Sequence, residues 1–553
     1  MKKSLFTLSM VALATNQAIA AIPTSYKLVP VDTQPVAPYQ LTALGLTESG
    51  VVTGVLTSRI TETDTTNDIY SDLFGVYDDE TVTDLVDDYT NSTSGSYRTL
   101  TSGNGFVADP SVSLVPGLAS SDDLLTVTSD VTGGIDNFYF GYNTAPWQLV
   151  TYKDSSDNDV SVYQRNYDNR GFFTDNNGTS YPLYPLFTYP EITRGDTTVV
   201  TANEKLGGIS VAENASSSYI VGYSSSKFST GSSTALDNCS ESDEVLPILV
   251  CMRNSGYQYR ATVWPLTNGV PGNPISLGIL GERTGDDDNP AAYNSYGYAI
   301  NDNGIVAGQS TYLDGDTNRQ VATIFDVSTG KPIKAITKTN SDISSSIAYG
   351  INNNNLVVGQ TSYPASYSTY RFFIYNYDTD TITYPSTFYE SANSTAYDVN
   401  NSDLVVGAAD YEQLPPSSAR RQHAFVYDAD NGVFADINTR LQFDSSTLTQ
   451  VYDGDTCAAR EDWVLEGAQK INDAGQIAAT AVTTLRDSSG NQVLDDDGNV
   501  QYVLRPVLLE PSDETATTCV DDQDESYSRS GGGSFGVFGL GVLGLLGLRR
   551  RKH

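Results

Sequence analysis

Carboxylates are the reactive groups this sequence holds in quantity: 67 Asp and Glu stand against 31 Lys and Arg. Asp495, Asp497 and Asn499, in the run Asp495-Asp496-Asp497-Gly498-Asn499, lie between two strand-like stretches and can present the hard oxygen ligands that calcium prefers. No Glu follows at the distance that would complete an EF-hand loop, so the same residues also read as a solvated hairpin turn. Asp286, Asp287 and Asp288 form a second acidic knot of the same kind. A pair of carboxylates separated by roughly 5–10 Å can hydrolyse a glycoside, but among so many acids no spacing selects a pair. No catalytic residue is assigned, and no cofactor beyond the calcium that the Asp495 run could hold.

The other reactive side chains are few. His423 and His553 are the only histidines, which all but excludes an imidazole ligand set or a His-based relay. His423 lies in a strand-like repeat beside Ala424 and Phe425, a structural rather than a catalytic setting. The interior of the chain holds no H-E-x-x-H, G-x-S-x-G or Walker A motif. Gly539-Leu-Gly541-Val-Leu-Gly544 matches G-x-G-x-x-G in form only: no strand precedes it and no ribose-binding acid follows. Trp147, Trp264 and Trp463 can stack on sugars, and packing inside a sheet explains them equally well.

The two ends carry address rather than chemistry. Lys2 and Lys3, the apolar run Leu5–Ala14 and the small-residue site Ala18-Ile19-Ala20 read as a secretory signal cleaved between Ala20 and Ala21. At the other end, Gly531-Gly532-Gly533-Ser534 precedes the uncharged run Phe535–Leu548 and the basic cluster Arg549-Arg550-Arg551-Lys552. As a helix that run would span about 21 Å, short of a hydrocarbon core of about 30 Å. Without both ends the formal charge moves from −36 to −42, because six basic residues leave and no acids do. Such a surface keeps an exported protein soluble and argues against nucleic acid, whose phosphates need clustered Lys and Arg. Cys239, Cys251, Cys457 and Cys519 include no C-x-x-C, and an even count in an exported chain favours two disulfides. Of the three pairings, Cys239–Cys251 and Cys457–Cys519 is the economical one.

Between the ends, the chain repeats itself. Tyr298-Ala-Ile-Asn-Asp-Asn-Gly-Ile-Val-Ala-Gly308, Tyr349-Gly-Ile-Asn-Asn-Asn-Asn-Leu-Val-Val-Gly359, Tyr397-Asp-Val-Asn-Asn-Ser-Asp-Leu-Val-Val-Gly407 and Gln469-Lys-Ile-Asn-Asp-Ala-Gly-Gln-Ile-Ala-Ala479 align without gaps. Weaker copies occupy Leu46–Gly54, which lacks the Asn, and Val211–Gly222, which carries one extra residue. A short apolar strand, an Asn/Asp/Gly turn that tolerates positive φ and an apolar return strand make a hairpin. In this reading Asn301, Asn352, Asn400 and Asn472 are turn residues. An aromatic-rich strand follows each polar loop, at Tyr259–Leu266, Gln320–Val327, Tyr370–Tyr377, Gln422–Tyr427 and Tyr502–Leu509. Repeats of about 40–50 residues with several strands each suggest propeller blades. Stretches 223–258 and 440–465 are expected as insertions on one face. Pairing Tyr26–Val31 with the last strand would close the ring and remove its sheet edges.

These units resemble HAF-type extracellular repeats, whose second half stands intact at His423-Ala-Phe-Val-Tyr427 and nearly so at Arg371-Phe-Phe-Ile-Tyr375. The tail resembles the GlyGly-CTERM sorting signals of Gram-negative bacteria. That resemblance implies cleavage near Gly531–Ser534 by an inner-membrane sorting protease, export through secretion machinery, and lipid attachment at the cell surface for many members. The whole arrangement is similar to an uncharacterised family of exported bacterial proteins, and it brings no catalytic residues with it.

The expectation is an all-β fold, a single β-propeller-like body of about six or seven repeats with loop insertions. The expected divisions are a signal peptide at 1–20, a first strand and degenerate repeat at 21–58, degenerate blades or an inserted region at 59–200, the repeat-bearing body at 201–510, an acidic linker at 511–530 and the sorting helix at 531–553. The expected function is non-enzymatic binding of a polysaccharide or protein, with no nucleic acid. The alternatives are a glycoside hydrolase using carboxylates in a propeller channel, and a purely structural envelope protein.

Overall fold

The computed structural model describes residues 21–31, 39–57, 103–109, 111–124, 127–135, 138–175, 177–241, 243–281, 293–315, 317–337, 343–363, 369–414, 420–443, 452, 455–487, 490–495 and 498–517. The signal peptide, the Asp286–Asp288 knot, Asp497, Cys519 and the sorting tail from Gly531 to Arg551 lie outside them. Among the described residues no helix is long and apolar enough to cross a membrane.

Seven sheets follow one another along the chain, antiparallel except where Leu441–Gln442 pairs parallel with Ser25–Pro30. Blade one comprises Gln40–Leu46, Val52–Thr57, Asn104–Ala108 and Val112–Val115, and blade two Ser129–Ile135, Phe138–Asn143, Arg170–Thr174 and Ser180–Leu183. Blade three has Ser210–Ala215, Tyr219–Phe228 and Tyr257–Thr267, edged by the short strands Val270–Pro271 and Ile275–Ser276. Blade four is built from Ser295–Ile300, Ile305–Asp314, Thr317–Asp326 and Lys331–Ala335. Blade five uses Ser345–Ile351, Leu356–Tyr363, Thr369–Asn376 and Thr381–Thr383, and blade six Ser394–Val399, Leu404–Asp410, Gln422–Asp428 and Val433–Asp436. Val464–Ile471, Ile477–Thr484 and Tyr502–Ser512 begin blade seven. Its sheet is completed by Ser25–Pro30, antiparallel to Tyr502–Ser512 with Leu28 opposite Leu509, and by Leu441–Gln442 from blade six's exit. The two chain ends therefore close the ring from either side, as the edge argument requires.

The stretch expected as degenerate blades or an insertion contributes the outer half of blade one and all of blade two. Blade two is interrupted by a separate hairpin, Gln148–Lys153 with Asp159–Gln164.

Hydrophobic packing lies between neighbouring sheets. Ala307, Ala322 and Ile324 of blade four meet Ala348, Val357 and Phe373 of blade five, all buried. The same pattern joins blades five and six through Val358, Phe372, Ala396 and Phe425. No blade can bury both faces alone, so the ring is the smallest unit that removes this apolar surface from water.

The repeat motif specifies two details of this ring. The innermost strand of every blade carries a β-bulge, which leaves Leu44, Thr132, Glu213, Tyr298, Tyr349, Tyr397 and Gln469 without a partner across the ladder. A bulge adds a residue and re-aims its side chain. The motif's terminal glycine faces this bulge at van der Waals distance: a Cβ on Gly359 would lie 2.0 Å from the Ile347 carbonyl, and one on Gly407 2.0 Å from that of Thr395. Blade seven, with Ala479 at this position, carries two register shifts instead of one.

The second detail is a belt of asparagines. Asn301 Nδ2 donates to Asn352 O at 3.0 Å, Asn352 Nδ2 to Asn400 O at 2.8 Å, Asn400 Nδ2 to Asn472 O at 3.1 Å and Asn472 Nδ2 to Thr47 O at 3.1 Å. A second track runs alongside, from Asp302 N to Asn353 Oδ1, Asn353 N to Asn401 Oδ1, Asn401 N to Asp473 Oδ1 and Asp473 N to Glu48 Oε2. The motif asparagines do close their own turns, since Asn352 Oδ1 accepts from Leu356 N at 2.9 Å. Reading them as turn residues alone misses that each is also pinned to the next blade.

Strand direction sorts the connections. Each innermost strand runs toward the asparagine belt, so that face carries the tight first-to-second and third-to-fourth turns. The opposite face receives every second-to-third connection and every blade-to-blade crossing. It therefore holds the described residues of segments 144–169, 184–209, 229–256, 411–421, 443–463 and 485–501. The 229–256 insertion contains a helix, Thr230–Cys239, tied to a second helical turn, Ile248–Cys251, by the Cys239–Cys251 disulfide. Cys457 is disulfide-bonded as well.

Candidate functional site

Bulged residues from several blades share the central axis. Glu213 of blade three interacts electrostatically with Lys470 of blade seven, and Tyr349 of blade five with Glu213. In a ring of seven, neither blade five nor blade seven adjoins blade three, so these groups meet across the channel. Asp130 and Tyr142 of blade two join them, with the Tyr142 hydroxyl donating to the Asp130 carboxylate. Asp398 of blade six sits toward the belt end, where its Oδ2 accepts from Ile471 N at 3.1 Å and its Oδ1 lies 3.8 Å from Lys470 Nζ.

Tyrosines form the wall. Tyr223 stands edge-on to Tyr296 at 5.0 Å and to Tyr259 at 5.7 Å between ring centroids. Tyr296 stacks on Tyr298 at 6.1 Å, Tyr298 lies 5.8 Å from Tyr349, and Tyr349 lies 6.1 Å from Tyr397. The belt of rings thus crosses blades three to six. Tyr223 is 7% exposed and Tyr298, Tyr349 and Glu213 are half-buried, as expected for side chains facing a narrow water-accessible passage.

Burial governs the acid–base character of this wall. Desolvation pushes the Glu213 carboxyl up to about 8, against the lowering pull of Lys470, and Asp130 raises it further. Asp130 is raised by burial although the Tyr142 hydrogen bond lowers it, and Asp398 is raised by burial against Lys470. Lys470 is the cation that acts on Glu213 and Asp398 among the described residues. Glu213 has no hydrogen bond, and no ion-pair partner within 4 Å, among the described residues.

The residues singled out from sequence fall elsewhere. Asp495 accepts from Asn499 N at 2.8 Å and from its Nδ2, a closed turn that Asp487 and Asn491 repeat eight residues earlier. Among the described residues no group of three or more His, Cys, Asp or Glu is arranged to hold a metal. His423 lies on the third strand of blade six, with Nδ1 2.9 Å from Asp436 Oδ2 and its ring 3.9 Å from that of Tyr411, nearly parallel. Trp264 and Trp463 are buried and donate to Tyr184 O and to the Tyr452 hydroxyl, while Trp147 is covered by Arg165 at 4.0 Å. Sequence reasoning missed Asp130, Glu213, Asp398 and Lys470. Its one available signal was the Tyr that heads three of the four aligned copies, at what proves to be the bulge.

The family model described as "Protein of unknown function (DUF3466)" matches residues 112–551. The chain belongs to that family. A search of curated proteins finds no match. Among solved structures, an unknown-function protein from Dyadobacter fermentans is 9% identical with TM-score 0.31, covering 89% of this chain and 99% of its own. TolB from Acinetobacter baumannii is 10% identical with TM-score 0.27, covering 75% and 77%. A puromycin-hydrolyzing peptidase from Mycobacterium tuberculosis is 9% identical with TM-score 0.27; 84% of this DUF3466 chain aligns, over only 61% of the peptidase. At these identities no activity passes from those proteins to this DUF3466 member.

Proposed function

We propose that this DUF3466 propeller is exported, attached at the cell surface, and binds a macromolecule, a polysaccharide or a protein, without turning it over. One observation carries the reading. The exposed large apolar side chains gather on the insertion-bearing face, among them Leu149, Tyr184, Val245, Tyr411, Leu414 and Leu494, and the others lie there too or on outermost strands. Exposed apolar groups around an opening, on loops held by a rigid scaffold, are what a binding face requires. The opposite face spends its polar groups on the asparagine belt. The signal-like start and the Gly/Ser, apolar and basic tail support export and a cleaved, surface-attached end.

The test is an array of polysaccharides and envelope proteins probed with the full chain and with a Leu149→Ser, Tyr411→Ser, Leu494→Ser triple variant. Binding by the first and at least tenfold weaker binding by the second supports the reading; equal binding rejects the face. Intact mass of the surface-released protein tests the tail: a C-terminus beyond Leu548 rejects cleavage.

A second reading, hydrolysis in the channel, is favoured by the raised carboxyl of Glu213, since an acid catalyst must keep its proton near neutral pH. Product analysis after incubation with each bound polymer separates the two: new chain ends, lost in Glu213→Gln, would make this DUF3466 member an enzyme.

A further inference from the structure

The channel wall contains acceptors that nothing in the protein uses. Glu213 projects from its bulge with neither a hydrogen bond nor an ion-pair partner within 4 Å among the described residues. Tyr223 is 7% exposed, yet its hydroxyl has no partner among the described residues. It feels Glu213, Tyr142, Tyr298 and Tyr296, which places that hydroxyl toward the axis. The hydroxyls of Tyr298 and Tyr349, one and two blades further round, have no hydrogen-bond partner among the described residues either. None of these oxygens is among the sealed, unpaired atoms of the interior, so a ligand entering from water can reach and pair with them.

Charge narrows the ligand. Lys470 lies against Asp398 and Tyr142 donates to Asp130, which leaves Glu213 as the carboxyl of the three without a partner among the described residues. A neutral sugar could pair with Glu213 only as a protonated acid and would supply no counter-ion once that proton leaves. A divalent metal needs several convergent carboxylates, and the described acids do not gather that way. An ammonium group brings three hydrogen-bond donors and a positive charge, and tyrosine faces attract cations. Glu213 with the oxygens of Tyr223, Tyr298 and Tyr349 matches that demand.

We propose that the central channel binds a primary ammonium group carried on an extended chain, a lysine side chain or polypeptide N-terminus, with Glu213 as its counter-ion and Tyr223, Tyr298 and Tyr349 as its wall. The inference rests on the binding reading and names the chemistry by which the insertion-bearing face would hold part of a protein ligand. Glu213 carries a proton near neutral pH in the free protein. Pairing with the ammonium drives that proton into the buffer, so binding tightens as pH rises toward 8.

Titration calorimetry of the full chain with tri-lysine at pH 7.5, in phosphate and in Tris, reads both affinity and proton release. Tri-lysine is expected to bind with net proton release, and tri-lysine acetylated at every amine is expected not to bind. Versions acetylated only at Nα or only at Nε tell which amine enters. Glu213→Gln should weaken binding at least tenfold and abolish the buffer dependence, and Tyr223→Phe should weaken it severalfold. Lys470→Gln should tighten it severalfold by removing the competing cation, a gain that damage to the fold would not produce. Absence of tri-lysine binding, or unchanged affinity in both Glu213→Gln and Lys470→Gln, overturns the inference. If polymers still bind the face in that event, the ammonium site alone falls; if nothing binds, the binding reading falls with it.

Discussion

The side-chain amide of Asn352 donates to the main-chain carbonyl of Asn400 at 2.8 Å, across 48 residues of sequence and one blade boundary. The two residues hold the same position in consecutive repeats, so each motif asparagine serves as both turn and rivet. The rivets run from blade four through five, six and seven to blade one, and they hold the belt end of the channel in register.

Asn352→Ala should therefore cost more than a surface turn residue does. It removes the bond to Asn400 O and strands Leu356 N, a buried donor held at 2.9 Å. Unpaired buried groups cost about 1–3 kcal/mol each, so a loss of about 2–4 kcal/mol is expected from urea unfolding. Asn303→Ala, at an exposed contact with Asn353 O, should stay within about 0.5 kcal/mol. Equal losses in the two variants would reduce the belt to decoration.

Gly359→Ala should destabilise by at least about 1–3 kcal/mol, the usual cost of overpacking, because its Cβ would lie 2.0 Å from Ile347 O, a backbone atom that cannot swing aside. Gly231→Ala is the contrast. It lies in the helix Thr230–Cys239 with nothing within 4 Å, and alanine should add up to about 1 kcal/mol of helix preference. Thermal unfolding of the pair decides whether the motif glycine serves close approach or merely flexibility.

Glu213 predicts a pH dependence of definite sign. Burial raises its carboxyl from 4.5 to about 8. Between those values the unfolded chain has lost this proton while the folded one keeps it, so this group makes stability fall as pH rises. Glu213→Gln removes the effect. Its melting temperature relative to the wild type should climb from pH 4.5 to 8 and level off above. A constant offset across that range would mean that Glu213 is not held protonated.

The Cys239–Cys251 bridge closes a loop of twelve residues within one insertion. Closing a loop of that size restricts the unfolded chain by about 3 kcal/mol in the entropy account. Cys239→Ser with Cys251→Ser should release that restraint locally: protease cleavage within 229–256 should accelerate, while the blades' melting temperature moves by a few degrees at most. Collapse of the whole transition would show that the insertion is part of the ring's cooperative unit.

Much of the architecture could be read from residue order. The hairpin in each repeat was legible because turn chemistry such as Asn301-Asp-Asn-Gly304 and flanking apolar runs are local signals. The aromatic third strands begin within a few residues of where they were expected, and ring closure by the strand at Tyr26 followed from the cost of an open sheet edge. Blade two was not legible. Its first strand, Ser129–Ile135, aligns with none of the repeat copies read from the sequence.

The candidate site was not legible either, for a geometric reason. Asp130, Glu213, Asp398 and Lys470 stand far apart in sequence, and only Asp398 and Lys470 carry a local mark, following the residue that heads an aligned repeat. They converge because all four lie on innermost strands, Glu213 at a bulge and the others within two residues of one, around an axis that exists only once seven sheets have closed around it. Local chemistry therefore determined the strands, turns and repeats. The closed ring alone decided which carboxylates lost their water and came to share one channel, because desolvation and mutual charge depend on distances that sequence separation does not measure.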